Sequence, residues 1–366
     1  MVDPVARPAV VPAGTVPVVP DGGLLAVHAH PDDETLATGA LLATWAAAGE
    51  RVTVVTCTRG ERGEVIDTAA HPTGVGHLEG DGPALAAHRE GELTRALAAL
   101  GVTDHAFLDT VAPLAPGPGA GSEVPDGAPA ARYTDSGMAW AAPGIARATA
   151  EAELPEGAFV GVPLDEAASR LAAVVRARRP AVVVTYEAGG GYGHPDHVRA
   201  HEVTVRALEL LAAAGEETPE LWTAVVPAAL LRSARRALDA RHEVRTLLDR
   251  VDGLTLPDPA APLPSVALPE EPPGPGEPRA RCDGPSVLAL RSVPVVPVLA
   301  AVLGALRAHA TQVQHVGAAS SGTSDVPLAG WYALSNDVLA PLPSHEFYAA
   351  SRAALPGPRD SGARGQ

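Results

Sequence analysis

From residue 24 onward the apolar residues of this chain fall into two alternating patterns: short unbroken runs, and longer stretches in which they recur every three or four positions. Runs of the first kind suit strands buried on both faces, and stretches of the second suit helices packed on one side. The pattern predicts a strand at 24 to 28, a helix across 35 to 48 stopped by Gly49, and a strand at 51 to 57. A helix over about 83 to 99, ended by Gly101, and a short strand around 105 to 108 make the next round. After a gap come a helix at 164 to 178, a strand at 181 to 186 and a glycine-rich loop at 189 to 193. A helix from Pro195 to about Ala213 follows, with Pro195 suited to its first turn, and then a strand at 221 to 226. Repeated βαβ units of this kind predict an α/β fold, Rossmann-like, with a mostly parallel sheet and helices on both faces.

Several stretches break the pattern. Residues 1 to 20 carry prolines at 4, 8, 12, 17 and 20 and no unbroken apolar run, so they read as a disordered leader. Residues 112 to 130 and 256 to 285 are rich in Pro, Gly, Ala or Glu without apolar period and read as insertions, the second a mobile surface one. A helix from Val295 to about Ala310, then an irregular tail with Trp331 and Tyr332, closes a single domain over 21 to 350, and 351 to 366 read as a disordered end. The apolar stretch from 293 to 306 is cut by Pro294 and Pro297 and is shorter than the ~20 residues a membrane span needs, so no membrane partner is expected.

Charge and composition narrow the chemistry. The formal net charge is -16, which sets the chain against a nucleic-acid partner, since phosphate backbones need clustered cations. All 27 basic residues are Arg, and the absence of Lys excludes Schiff-base chemistry and a P-loop lysine. The two cysteines, Cys57 and Cys282, form neither a disulfide framework nor a CxxC signature, which fits the cytoplasm.

Two motifs carry the candidate chemistry. His30-Pro31-Asp32-Asp33-Glu34 follows the first strand, and Gly193-His194-Pro195-Asp196-His197 follows the strand at 181 to 186. Both are strand-to-helix junctions, and in open α/β sheets ligands bind outside the carboxyl ends of the strands. An acidic helix start is the plain use of the first motif, because Asp and Glu favour the helix dipole. Its pairing with a second His/Asp cluster points instead to a metal site at the carboxyl ends of the strands.

His30, Asp33 and His197 supply the two imidazoles and one carboxylate of a hydrolytic zinc site, and the same set accepts Fe2+. Zinc lowers the pKa of bound water from ~15.7 toward ~7, and a neighbouring carboxylate, Asp32, takes the proton on attack. His194, which can be cationic near neutrality, would support the oxyanion or protonate the departing amine. Asp196 would orient a histidine or favour the helix start, Tyr192 would reach a tetrahedral intermediate from its flexible loop, and Glu61 and Glu64 would face the crevice or solvent. His-Pro-Asp-Asp stands where a dinucleotide site needs glycines, which disfavours NAD. His71, His77, His88 and His309 show no ligand spacing.

The pair AHPDDE and GHPDH resembles the zinc-dependent N-acetylglucosaminyl deacetylases of the LmbE/PIG-L family. The likeness extends to the branch serving mycothiol biosynthesis in actinobacteria, through VVTCTRGERGEVI, HREGELTRALAALGV, RYTDSGM, RAHATQV and ALSND, from about Leu24 to Tyr348. The resemblance implies hydrolysis of N-acetylglucosaminyl inositol, a small-molecule glycoside, to acetate and the free amine, with one Zn2+ per subunit. It places the metal ligands on His30, Asp33 and His197, the base on Asp32 and the acid or oxyanion role on His194. Substrate contacts fall on Glu64, Arg89, Asp135 and Gln312, with Tyr192 aiding the intermediate. A mycothiol S-conjugate amidase, a deacetylase of another N-acetylglucosamine metabolite and a non-catalytic sugar-binding module are the alternatives. Thr35-Leu36-Ala37 after the first motif favours the deacetylase over the amidase, and oligomeric state stays open.

Overall fold

The computed structural model describes residues 11–12, 14–114, 132–142, 145–148, 154–268, 289–319 and 327–352. In chain order it opens with β1 (Val16–Pro17), β2 (Leu24–His28), α1 (Asp33–Ala47), β3 (Val52–Thr56), α2 (Gly82–Leu100) and β4 (Asp104–Phe107). A hairpin, β5 (Met138–Ala142) and β6 (Ile145–Ala148), precedes α3 (Leu164–Arg178), β7 (Val182–Tyr186), the single turn α4 (Gly190–Gly193) and α5 (Pro195–Ala213). Then come β8 (Glu220–Pro227), α6 (Ala228–Asp239), α7 (His242–Leu248), β9 (Ala267–Leu268), β10 (Ala289–Pro294) and α8 (Leu299–Ala308). The chain closes with β11 (Gln314–Ala318), β12 (Leu328–Ala333), β13 (Leu339–Pro343) and β14 (His345–Arg352).

The main sheet runs β1-β10-β14-β8-β7-β2-β3-β4, with β9 beside β8. Strands β8, β7, β2, β3 and β4 are mutually parallel, and β14 and β10 join antiparallel. The fold is thus α/β with a mostly parallel sheet. Strands β2, β3 and β7 are buried at every position, because alternate residues enter two different cores. Leu24, Ala26, Val54 and Val184 face a cluster with Leu41, Trp45 and Leu306 of α1 and α8, whereas Leu25, Val27, Val55 and Val183 face one with Leu171, Val203 and Leu208 of α3 and α5.

From β2 the chain moves outward to β3 and β4, and from β7 it moves the other way to β8. The strand order therefore switches between β2 and β7, and the crevice at such a switch is where open α/β sheets bind ligands. Both His/Asp motifs leave the sheet there.

The structure corrects several expectations. The expected leader contributes β1, whose Val16 pairs with Arg291. The expected irregular tail is a three-stranded antiparallel sheet, β11-β12-β13, followed by β14 inside the main sheet. The part of the 256 to 285 stretch that is described is tied down: Val266 N–H donates to Gly191 O at 3.1 Å and its carbonyl accepts from Val226 N–H at 2.9 Å. Residues 115–131, 269–288 and 353–366, where the rest of the insertion and tail readings fall, lie outside the described residues.

Candidate metal centre

At the first junction the chain leaves β2, turns through Pro31 and enters α1 at Asp33. Asp32 stands at φ 112°, ψ -33°, a conformation costly for any residue with a Cβ, of order 1–3 kcal/mol. Its side chain does not cap the helix, although its carbonyl accepts from Thr35 and Leu36 N–H at 3.0 and 2.9 Å. The carboxylate is left aimed elsewhere. The adjacent Asp33 Oδ2 accepts the backbone N–H of His30 at 2.9 Å, which folds the turn back on itself.

At the second junction the glycine-rich loop is shaped by Glu187, whose carboxylate accepts the N–H groups of Gly189 and Gly191 at 2.5 and 2.8 Å. Gly190 sits at φ +70°, and a Cβ there would lie 2.8 Å from Val198 N, so only glycine fits. His194 caps α5 with Nδ1 accepting Asp196 N–H at 3.1 Å, and Pro195 follows at the first helical position.

The two junctions meet. His30 Nδ1 lies 3.2 Å from Asp33 Oδ2, and His197 Nε2 lies 3.3 Å from Asp33 Oδ1. The opposite ring nitrogens are engaged from outside: His30 Nε2 donates to Asp196 Oδ2 at 3.2 Å, and His197 Nδ1 donates to Gly190 O at 3.2 Å. With protons on those outer nitrogens, both imidazole lone pairs face the two oxygens of Asp33. The rings of His194 and His197 stack 4.8 Å apart, and His197 stacks in turn on Tyr186 at 4.2 Å. Ligand atoms of His30, His194 and His197 lie within 4.8 Å of one another, as do those of His30, Asp135 and Asp196, all buried.

A family model described as GlcNAc-PI de-N-acetylase, PIG-L, matches residues 25–208. A relative from Kineococcus radiotolerans, named 1D-myo-inositol 2-acetamido-2-deoxy-alpha-D-glucopyranoside deacetylase, is 40% identical over 93% of this chain and 80% of its own length. One of the same name from Streptomyces avermitilis is 39% identical over 94% of this chain and 96% of its own. The chain belongs to the PIG-L family. Among solved structures, a deacetylase of the teicoplanin pathway is similar at a TM-score of 0.42 and 19% identity, covering 79% of this chain and 84% of that one.

PIG-L deacetylases are metalloenzymes, and the donor set here fits a divalent cation. Two imidazole lone pairs and a carboxylate converge without a donor hydrogen between His197 Nε2 and Asp33, and that buried nitrogen has no hydrogen-bond partner among the described residues. Such a cluster calls for positive charge at its centre. The titrations agree: burial alone would depress His30, but Asp135, Asp196 and Asp33 raise it well above its ordinary value. Burial would likewise raise Asp33, but His197 and His30 hold it well below the usual carboxylate range.

Asp32, unlike Asp33, is engaged by neither imidazole. Burial lifts its pKa to about 7, against the pull of Arg89 and with help from Asp33. Arg89 reaches it from α2, with Nη2 3.5 Å from Asp32 Oδ2 and Nη1 donating to Gly60 O at 2.8 Å. Gly60, at φ +65°, makes room for that guanidinium, since a Cβ there would stand 1.9 Å from Nη1.

Burial, then His30 and His197, hold His194 well below 6.5, so it is neutral near pH 7 and not cationic. Because its Nδ1 accepts a backbone N–H, the remaining proton sits on Nε2 and the ring serves as a neutral donor. Asp196 accepts from His30 Nε2 at 3.2 Å. Its Oδ2 is shared with Ser136 N–H at 2.9 Å.

The expected substrate contacts divide. Asp135 Oδ1 sits 3.7 Å from His30 Nε2, at the cluster itself, while its backbone N–H donates to Glu61 at 3.2 Å. Glu64 and Glu61 line a cavity of about 550 Å³ with Arg62 and Arg132. Gln312 reaches the same loop, donating to Glu64 O at 2.8 Å. The Tyr192 ring stands edge-on to His197 at 5.1 Å and to His194 at 6.0 Å. Sequence reasoning passed over Tyr186, Glu34 and His309. Tyr186 ends the β7 run and stacks on a predicted ligand, a signal that periodicity could have offered. His309 bonds Glu34 across 275 positions, and no spacing rule finds such a pair.

Proposed function

We propose that this chain hydrolyses the acetamide of N-acetylglucosaminyl inositol, releasing acetate and the free amine in mycothiol biosynthesis. The observation that carries the substrate is the near full-length match to relatives bearing that substrate in their names, at about two residues in five identical. The cavity linked to the cluster through the Asp135–Glu61 bond supports it, because a polyol needs acceptors and donors such as Glu61, Glu64, Arg62 and Arg132.

In this reading His30, Asp33 and His197 hold zinc, about one ion per chain, and the same two-histidine, one-carboxylate set also accepts Fe2+. A bound divalent ion supplies a Lewis acid for the carbonyl and brings the pKa of water near neutrality. Asp32, with a pKa of about 7, takes the proton of the attacking water. His194 Nε2–H donates to the oxyanion of the tetrahedral intermediate while staying neutral. Because His194 has no second proton to give, Asp32 returns its proton to the amine nitrogen as the C–N bond breaks. Asp196 and Asp135 fix the His30 ring, and Tyr192 borders the intermediate.

The compartment consistent with this chemistry is the cytoplasm, where a free thiol such as that of Cys57 persists. Among the described residues, no helix is long and apolar enough to cross a membrane.

The test is primary amine release from N-acetylglucosaminyl inositol, a mycothiol S-conjugate and N-acetylglucosamine, with and without chelator. Chelator-sensitive preference for the inositol glycoside is expected. Faster cleavage of the S-conjugate would transfer the chain to the amidases, and release from none of the three would defeat the reading.

A further inference from the structure

The positive-φ backbone of Asp32 is met by groups from the turn that follows it. Its N–H donates to Glu34 Oε2 at 2.9 Å, a bond that an αR or extended Asp32 would not make with the same aim. The other oxygen of Glu34 accepts the Thr35 hydroxyl and, at 2.7 Å, Nε2 of His309. Glu34 and His309 are both 0% exposed, so neither bond is shared with solvent. His309 follows α8 directly, in the segment that also carries Gln312, and its carbonyl accepts Gln312 and Val313 N–H at 2.9 and 2.8 Å. The segment is itself pinned to α2, since Glu92 accepts both the N–H and the hydroxyl of Thr311 at 2.9 and 2.6 Å.

We infer that Glu34 and His309 are positioning residues: together they clamp Asp32 in its strained conformation and so aim its carboxylate at the attacking water. Glu34 takes no part in the metal cluster, because both its oxygens are spent on Asp32, Thr35 and His309. The inference rests on Asp32 being the base. It also explains why an acidic residue follows the two aspartates when the first helical turn leaves it fully buried.

The test compares Glu34→Ala, Glu34→Gln, His309→Ala and His309→Gln, each alone and with Asp32→Asn, by steady-state kinetics and metal content. A misplaced base lowers kcat with KM and metal stoichiometry unchanged, by about 10²-fold for the alanine variants. Glu34→Gln retains an oxygen for the Asp32 N–H, and His309→Gln retains a donor for Glu34, so each stays within about tenfold of the parent. In the Asp32→Asn background the alanine variants cost nothing further.

Loss of metal, a rise in KM alone, an equal loss in the Asp32→Asn background or no advantage of Gln over Ala would overturn the inference. A crystal structure of His309→Ala reads the same claim without activity. Asp32 should leave the positive-φ region, and Asp32 unchanged at its present φ would refute the clamp even if the parent enzyme proved inactive on every acetamide offered.

Discussion

The two strand-to-helix junctions that form the site do the same topological job in opposite ways. After β7, His194 at φ -62° caps α5 by accepting Asp196 N–H, Pro195 takes the first position, and the cap is relaxed. After β2, Asp32 in the capping position adopts φ 112°, keeps its side chain out of the cap and leaves the helix start to be completed by others. The relaxed junction is built mainly within residues 187 to 197, with Ser265 and Val266 as outside partners bonded to Glu187 and Gly191. The strained one draws support from Arg89 on α2, His309 beyond α8 and Glu34 within α1. Strain at Asp32, the base in the proposed reaction, is held by contacts from distant parts of the chain.

If the strained junction carries the base and the relaxed one a neutral donor, removal at the first should cost more. Asp32→Asn is expected to lower kcat by about 10⁴-fold, the upper end for a group that both takes and gives a proton, with metal retained. His194→Ala should cost about 10²-fold, the loss of one oxyanion donor. Equal losses would remove the contrast.

A pH profile sharpens it further. The base must be ionised, so kcat/KM should rise about tenfold per pH unit to an inflection near 7, the value to which burial lifts Asp32. His194, held well below its ordinary value, should add no limb in that range. An acid limb that survives Asp32→Asn would assign the inflection to another group.

The smallest effect concerns the helix of the strained junction. Glu346 on β14 accepts Ala40 and Leu41 N–H of α1 at 2.7 and 2.9 Å, and burial raises its pKa to about 7. The folded state then holds a proton that the unfolded chain releases near 4.5, so stability should fall as pH rises from about 4.5 to 7. Glu346→Gln should flatten that slope in thermal melts, with little change in kcat.

Legibility in the sequence follows the same division. The parallel strands and their helices were readable to within a few residues, because burial on both faces writes an unbroken apolar run into each strand. β11 to β14 were not, since Pro341, Pro343, Gly317 and Gly330 interrupt any alternation and pairing is decided by distant partners such as β8 and β10. At the site, spacing alone brought His30, Asp33, His194, Asp196 and His197 into view, as each lies within five residues of a strand-to-helix turn. The place of Asp135 beside His30, the seat of Arg89 over Gly60 and the Glu34–His309 pair depend on tertiary contacts that no local pattern encodes. The lowered titration of His194 was hidden for the same reason, because its neighbours His30 and His197 are brought against it only by the fold.

The central claim is that one ligand set drawn from both junctions holds one ion. Metal content of the purified chain, beside Asp33→Ala from the first junction and His197→Ala from the second, tests it most directly. The account predicts about one divalent ion per chain in the parent and loss of that ion in either variant, with folding intact by circular dichroism. Full metal retention in either folded variant would contradict it.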